Sequence, residues 1–473
     1  MHCRRAKEEP ALAQKLFGTS GIRGGISDKV TVDLALDLGR ALGTFLSGGS
    51  TVAVGTDART SRVALKNAFL AGLMSTGVNA LDISIAPMPA VASQSIVSGL
   101  SASVIVTASH NPPTDNGFKF FVGGREMVKS EEASLEKHVS TRAFRVASWR
   151  NIGKVARGEI RSAYLERVRR FLLSRGQTAD GMRVLIDSAN GAATEYTPSL
   201  LGKLGFRVTT MNSHHDGHFP GRLPEPSPSN LADTMKVSAK SEAAVTLCHD
   251  GDGDRLAVID EKGRFIDQNR IIALFARDEV QRRGGGLVVT SIDTSSVIDE
   301  VVEAAGGQVV RVPLGSLQER LSSDNEKEIV FASEPWKPIF TELGGWMDGI
   351  AGAGRLAQMT FDAGNGSCIR LMASIPEYPV LRDQVSCPDA IKPQFMANVR
   401  KMLLSKVSNI QKVLDIDGIR VECSDGSYVL VRTSGTEPKA RVYIGARTQE
   451  SLDKLAEISR DVIKRALEES GLH

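Results

Sequence analysis

The chain has 473 residues, 41% of them hydrophobic and 24% charged, the proportions of a globular protein of three or four domains. A formal net charge of +3 is too small to argue for nucleic acid or a membrane surface as a partner. Five scattered cysteines (Cys3, Cys248, Cys368, Cys387, Cys423) without a Cys-x-x-Cys pair fit a reducing, cytoplasmic setting and no disulfide framework. The start Met1-His2-Cys3-Arg4-Arg5 has no apolar stretch behind its charges, so no signal peptide is read there, and no apolar run is long enough to span a membrane.

Along the chain, a short buried strand followed by a polar loop and a helix-like stretch recurs three times. The strands fall at 52–55, 182–186 and 287–290, and their loops at 56–61, 187–192 and 291–296. Each strand has a companion further on, at 104–106, 244–247 and 328–332. This repetition predicts three α/β domains of similar build. The last segment differs in type. It reads as a hairpin of 418–423 and 428–431 across the turn 424–427, then a strand at 440–444. A final helix over about 451–470 places Leu452, Leu455, Ala456, Val462, Ile463 and Leu467 on one face. The boundaries are set at 1–153, 154–260, 261–375 and 376–473.

Three loops carry chemistry. In the first, the β-branched run Val104-Ile105-Val106 ends in Thr107-Ala108-Ser109-His110-Asn111-Pro112, and Pro112 stops regular strand pairing. Such a turn presents the Ser109 hydroxyl, exposed and fixed, at the end of a buried strand, the layout of a covalent-transfer serine. In the second, a buried strand runs into Asp250-Gly251-Asp252-Gly253-Asp254-Arg255. Three carboxylates alternating with glycines can turn inward on one divalent cation, whereas left unpaired they would repel and raise each other's pKa values. A calcium hand loop is excluded by Arg255 at the position that needs glycine, and by the strand-like 256–259 ahead of Glu261. In the third, Arg432-Thr433-Ser434-Gly435-Thr436-Glu437-Pro438-Lys439 combines hydroxyls, a glycine backbone and flanking cations into an anion cradle. The His214, His215, Asp216 and His218 group reads as a solvated loop.

These three loops, in this order, resemble those of the α-D-phosphohexomutases, which comprise phosphoglucomutases, phosphomannomutases and phosphoglucosamine mutases. Phe17-Gly18-Thr19-Ser20-Gly21-Ile22-Arg23-Gly24, Asp115-Asn116-Gly117-Phe118-Lys119 and Leu223-Pro224-Glu225-Pro226 extend the similarity over nearly the whole chain from Phe17. The resemblance implies three similar α/β/α sandwich domains with mixed sheets and a smaller C-terminal α+β domain, around a central cleft. It implies an isomerase, an intramolecular phosphotransferase that interconverts hexose 1-phosphate and hexose 6-phosphate. In that family a phosphoserine, here Ser109, passes its phosphate to the sugar, and a 1,6-bisphosphate serves as intermediate and activator. One Mg²⁺ per chain would be held by Asp250, Asp252, Asp254 and an oxygen on Ser109.

The resemblance also assigns helpers. Arg23 and Lys119 are proton-transfer or charge-stabilising groups near Ser109, and His110 and Asn111 orient the loop. A lysine serves as acid or base only if burial or neighbouring positive charge lowers its pKa. Arg255, Arg432, Ser434, Gly435 and Thr436 would grip the phosphate that is not reacting, and Gly315 sits at a sugar-contacting turn. The sugar loop departs from the family. Where Gly-Glu-x-Ser-Gly-His is common, this chain has Ala332-Ser333-Glu334-Pro335-Trp336-Lys337-Pro338. Glu334 is retained for sugar hydroxyls, Trp336 is a stacking platform or a rim hydrophobe, and Lys337 replaces a missing positive charge. Glucose, mannose and glucosamine phosphates all stay open as substrates. The segment 115–121 leans toward a dedicated phosphoglucosamine mutase, and a non-catalytic sugar-phosphate binder is the alternative of another class.

Overall fold

The apolar run Ala102–Val106 is buried at every position, because strands lie against it on both sides and helices cover the sheet. In the computed structural model, which describes residues 16–323, 328–435 and 437–471, this strand is central to the first sheet. The order is Ile22–Gly25, Asp115–Val122, Ala102–Val106, Thr51–Thr56, Asn79–Ile85 and Val155–Arg157, with Arg125–Glu126 beside Asp115–Val122. The helices Val32–Phe45 and Arg62–Ser75 cross at two glycines. A Cβ on Gly39 or Gly72 would lie 2.1 or 2.0 Å from a carbonyl oxygen of the other helix, so only glycine permits this approach.

The second sheet runs Phe265–Ile266, Ala257–Asp260, Val245–Cys248, Arg183–Asp187 and Arg207–Met211. The third runs Gly307–Val312, Gly286–Ser291, Ile329–Glu334 and Lys337–Ile339. Both join parallel pairs to an antiparallel edge, as the first does. The fourth sheet is antiparallel throughout: Val380–Ser386, Lys439–Gly445, Tyr428–Thr433, Ile419–Cys423 and Ile410–Leu414. Helices Lys392–Lys406 and Gln449–Glu468 close it through one apolar cluster that includes Phe395, Leu403, Leu455, Val462, Val429 and Val442.

Three mixed α/β/α domains and an antiparallel C-terminal domain are thus the architecture the repeat and the hairpin predicted. Two junctions lie later than the sequence placed them. Val155–Arg157 pairs with Asn79–Ile85 beyond the boundary at 153, and Phe265–Ile266 pairs with Ala257–Asp260 beyond 260. Both are short edge strands, which leave little periodicity to read. Val380–Ser386 and Ile410–Leu414 also went unpredicted, since both are edge strands that keep most side chains at least partly in solvent.

The turn that carries Ser109 is fixed from inside by Arg59, which is wholly buried. Its guanidinium donates to the carbonyls of Ser109 (3.0 Å), Asn111 (2.7 Å), Pro112 and Asp115 (2.8 Å). Asp57 aligns it through Nε at 3.0 Å and also accepts from Thr107 Oγ1 at 2.7 Å, while the Ser109 amide donates to Thr107 Oγ1 at 2.8 Å. This lattice holds Ser109 at φ +52°, a left-handed conformation that costs a non-glycine residue about 1–3 kcal/mol. Arg59→Met would leave buried carbonyls without donors and release the turn. A loss of kcat of about a hundredfold is expected, from misplacement of the hydroxyl by an ångström or so. A wild-type kcat in this variant would remove Arg59 from the account.

The second and third domains meet at the buried helix Gly349–Asp362. Its N-cap Asp348 accepts from Ala351 N (2.8 Å), Tyr164 Oη (2.7 Å) and Trp346 Nε1 (3.1 Å). Burial outweighs these donors and pushes the carboxyl up to about 6, from 3.8. The native state therefore holds an extra proton between about pH 4 and 6. The stability this proton contributes is full below pH 4 and is lost as pH rises through 6, by up to about 3 kcal/mol. In urea unfolding, the stability of Asp348→Asn relative to wild type should rise by up to that amount from pH 4 to pH 7. A flat difference would show that Asp348 titrates as a solvated carboxyl.

Candidate active site

The strand ends of the first two domains bring the nucleophile and the acidic loop into contact. Ser109 Oγ donates to Asp250 Oδ2 at 2.6 Å. Asp250, Asp252 and Asp254 are each wholly buried, and one oxygen from each lies within 4.8 Å of the others. The loop's two glycines serve different needs. Gly253 adopts φ +73°, whereas a Cβ on Gly251 would lie 2.6 Å from the Ser109 carbonyl. Ser109 itself is buried, not exposed as the sequence suggested, because the acidic loop of the second domain packs directly on it.

The acidic loop suits a hard divalent cation. Asp252 Oδ1 and Asp254 Oδ1 are buried with no hydrogen-bond partner among the described residues. Burial, with Asp254 and Asp252 adding to it, raises Asp250 well above the ordinary carboxylate range. Charge of the opposite sign comes from Lys119, whose Nζ lies 2.9 Å from Asp252 Oδ2 and 2.6 Å from Asp254 Oδ2. Among the described residues this is the only group of three or more His, Cys, Asp or Glu side chains placed to hold a metal. Glu261 is used elsewhere, accepting from Ser367 Oγ and from Ile369 N at 3.1 Å. In the histidine loop, His218 pairs with Asp216 at 2.9 Å and is largely exposed, as expected of a solvated loop.

Lys119 is held as a cation. Burial alone would lower its pKa, but Asp252 and Asp254 outweigh burial and raise it above the ordinary value. Of the two roles left open by the sequence, this arrangement favours charge stabilisation. His110 is neutral, because burial and then Arg255, Arg23 and Lys337 all lower its pKa. Arg23 Nη1 lies 3.3 Å from His110 Nδ1, and Arg255 Nη2 lies 3.2 Å from Nε2. A neutral imidazole has one acceptor nitrogen and can satisfy only one guanidinium. Arg23 Nε and Arg255 Nε are also buried without hydrogen-bond partners among the described residues, although Arg255 lies 4.0 Å from Asp250 Oδ2 and 3.6 Å from Glu225 Oε1. Two guanidinium groups that share one imidazole acceptor retain N–H donors that could bind an oxyanion.

The sugar loop is shorter than a loop. Glu334 pairs with Lys337 across a tight hairpin, with Trp336 at φ +75° in the turn. Glu334 Oε1 accepts from Gly315 N at 3.1 Å, which joins the two predicted sugar-contacting positions. Lys337 Nζ is buried, 3.4 Å from Glu334 Oε2 and 3.9 Å from Asp254 Oδ2, so a positive charge does stand in the site. Trp336 does not offer a stacking platform. Its ring packs on Phe265, within the cluster of Leu231, Cys248, Ala257 and Ile259 behind the acidic loop.

In the C-terminal domain, Arg432 lies at the end of Tyr428–Thr433 and donates through Nε to Asp417 Oδ2 at 2.9 Å. Ser434 folds the loop back: its amide donates to Lys439 O at 2.8 Å and its Oγ accepts from Glu437 N at 3.2 Å. Lys392 Nζ braces the loop by donating to the carbonyls of Ser434 and Glu437. A Cβ on Gly435 would meet no atom within 4 Å, as suits a backbone open to a ligand. Thr436 lies outside the described residues, as do Cys3 and the N-terminal start. The other four cysteines are free and buried, and no helix among the described residues is long and apolar enough to cross a membrane.

Three groups that build the site were not assigned roles from the sequence. Arg59 and Asp57 lie in the first repeat loop, where an acid two residues before an arginine at a strand end was their signal. Glu126 receives Ser20 Oγ at 3.3 Å, and burial raises its pKa although Lys119 and Lys337 act against it. Its strand has two residues and no pattern.

Comparison with known proteins agrees with this geometry. The chain matches the phosphoglucomutase/phosphomannomutase models of α/β/α domain I at 14–146, domain II at 162–263 and domain III at 267–334, and of the C-terminal domain at 384–462. It is 42% identical to a phosphopentomutase of Thermococcus kodakarensis, over 96% of this chain and 99% of that one. It is 38% identical to a probable phosphoglucosamine mutase of Methanopyrus kandleri, over the same shares. Among solved structures, a phosphoglucomutase/phosphomannomutase family protein of Burkholderia thailandensis superposes with a TM-score of 0.84 at 25% identity, covering 98% of this chain and 99% of that one. Domain order, the serine against the acidic loop and the extent of these matches lead to one conclusion: the chain belongs to the α-D-phosphohexomutase family of intramolecular phosphotransferases.

Proposed function

We propose that this protein moves a phosphoryl group between the anomeric oxygen and the terminal hydroxyl of a sugar phosphate, with Ser109 as its carrier. The contact of Ser109 Oγ with Asp250 at 2.6 Å, inside a buried acidic cluster with orphaned oxygens, is the observation that carries this reading. In the first half-reaction, the free hydroxyl of the sugar phosphate attacks phosphorus on phospho-Ser109. The new O–P bond forms as the Oγ–P bond breaks, the hydroxyl loses its proton, and Oγ regains one. The sugar bisphosphate then turns over in the cleft. Its other phosphoryl group returns to Ser109 by the reverse bond changes.

The residues divide the work. Arg23, Arg255 and Lys119 stand around Ser109 as fixed positive charges for the equatorial oxygens of the transferring group. His110 lies between Arg23 and Arg255 and accepts from one of them. Asp250, Asp252 and Asp254, with an oxygen on Ser109, would hold Mg²⁺, which supplies further positive charge to the phosphoryl group. Arg432, Ser434, Gly435 and Thr436 grip the non-reacting phosphate, and Glu334 and Gly315 contact sugar hydroxyls. Because the sugar is held by both ends, one cradle serves either orientation.

The first reading of the substrate is a hexose phosphate, with a 1,6-bisphosphate as intermediate. A second reading, pentose 1-phosphate and 5-phosphate, is favoured by the 42% identical relative named a phosphopentomutase and by the loss of Ser, Gly and His from the sugar loop. A non-catalytic binder would have no use for an intact acidic loop against Ser109.

With Mg²⁺ and glucose 1,6-bisphosphate present, the 1-phosphates of glucose, mannose, glucosamine and ribose should distinguish these readings. Turnover at least about a thousandfold above Ser109→Ala is expected on one of them. The highest kcat/KM on a hexose supports the first reading, and on ribose 1-phosphate the second. No turnover above the Ser109→Ala background on any of the four would overturn the mutase reading.

A further inference from the structure

The turn 313–316 is where three domains meet. Gly315 N donates to Glu334 Oε1 at 3.1 Å within the third domain. A Cβ on Gly315 would lie 2.6 Å from the carbonyl of Thr19, so the N-terminal loop of the first domain rests directly on this turn. From the other side, Leu314 N donates to Asp417 Oδ2 at 3.3 Å, and Asp417 belongs to the C-terminal domain. The same oxygen accepts from Arg432 Nε at 2.9 Å. One carboxylate oxygen therefore bridges the arginine of the phosphate loop and the backbone of the sugar turn.

An acid beside a phosphate-binding arginine opposes its ligand electrostatically, so its geometry has to be informative. Asp417 engages Nε alone. That leaves the two terminal nitrogens of the guanidinium out of the bond, as a pair able to fork an oxyanion. The backbone is shaped for this contact. Gly418 has φ +87°, and a Cβ there would lie 2.3 Å from Val431 O and 2.7 Å from the Arg432 side chain. Only glycine lets residue 417 sit against Arg432 in this way.

Docking of the C-terminal domain does not depend on Asp417. Arg420, wholly buried, donates through Nη1 to the carbonyls of Ile292 at 2.8 Å and Thr294 at 2.7 Å. Tyr428, Leu430 and Tyr443 pack against Ile292 in one apolar cluster. Ser296 Oγ also donates to Gly426 O. Asp417, about a quarter exposed at the edge of this contact, adds little to it.

We propose that Asp417 is a positioning residue that ties Arg432 to the sugar turn, so that the grip on the non-reacting phosphate and the grip on the sugar hydroxyls move as one body. This rests on the reading of Arg432 as a phosphate ligand. Its consequence is retention of the bisphosphate. While the intermediate turns over, each phosphate leaves one grip before the other closes, and a pre-aimed guanidinium re-forms its fork without a search over rotamers. Without Asp417 the arginine is free to swing, and the intermediate escapes more often.

The test compares Asp417→Ala, Asp417→Asn and Arg432→Met with wild type. The probes are glucose 1-phosphate and ribose 1-phosphate as substrates and glucose 1,6-bisphosphate as activator. For Asp417→Ala, KM for the substrate that turns over should rise about tenfold, and the activator concentration for half-maximal rate should rise by a similar factor. Its kcat should stay within about threefold of wild type, and its thermal midpoint should be unchanged, since Arg420 holds the domain. Asp417→Asn keeps the volume and one acceptor, and should move both quantities in the same direction by less. It carries the test if the alanine variant fails to fold. If Arg432→Met raises KM while both Asp417 variants keep wild-type KM and activator requirement, the coupling role is wrong and the phosphate-loop reading stands. If Arg432→Met also leaves KM unchanged, the phosphate-loop reading fails and this inference falls with it.

Discussion

Three carboxylates, wholly buried and close together, are the electrostatic constraint this site has to meet. At 4.8 Å or less and an effective dielectric of about 20, each pair of full charges repels by about 3 kcal/mol or more. A protein does not keep such a cluster unless positive charge is supplied locally. Lys119 supplies one unit within 3 Å. Lys337 and Arg255 stand further off, 3.9 Å from Asp254 and 4.0 Å from Asp250, yet Asp252 Oδ1 and Asp254 Oδ1 keep no hydrogen-bond partner among the described residues, which is an argument for a divalent cation independent of any motif. Burial, with Asp254 and Asp252 adding to it, accordingly raises Asp250 well above the ordinary carboxylate range, and the Ser109 hydroxyl donates to it.

The rest of the architecture serves that cluster. The strands Ala102–Val106 and Val245–Cys248 end at the same place, and their loops interlock because Gly251 admits the Ser109 carbonyl. Arg59 on one side and Asp57 with Thr107 on the other convert a polar turn into a rigid one. The third domain contributes Lys337 and Glu334, paired across a tight hairpin. The fourth approaches from the far end of the chain, anchored by Arg420 on backbone carbonyls of the third. On the proposed reading the site draws on all four domains, so no one of them preorganises it alone and the contacts between domains are part of the chemistry.

The elements legible in the sequence were those with an internal signal. Val104-Ile105-Val106 and Val245 to Cys248 are apolar runs that end in polar turns, and the alternation of Asp and Gly from 250 to 254 has few other uses. The last helix was legible from its apolar face, with an offset of about two residues at each end. What stayed hidden depends on tertiary partners. The acid two residues before Arg59 hints at a local pair but not at a donor to four carbonyls up to 56 residues away, and nothing local marks Asp417 as the neighbour of both Arg432 and Leu314. Trp336 stayed open between a platform and a rim hydrophobe for the same reason. An aromatic residue in a sugar loop looks like a platform until the fold puts Phe265 beneath it. Ser109 was expected at the surface because a strand end is exposed in a single domain, and the acidic loop of the second domain packs directly on it.

The central claim is that the three buried aspartates and the Ser109 oxygen together hold one divalent cation. A crystal structure with Mn²⁺ in place of Mg²⁺ tests it most directly, through anomalous scattering. The account predicts a single anomalous peak per chain, within about 2.0–2.3 Å of one oxygen each from Asp250, Asp252, Asp254 and the Ser109 side chain or its phosphate. Manganese bound elsewhere, or a peak that leaves any of the three aspartates or the Ser109 side chain out of its coordination shell, would contradict it.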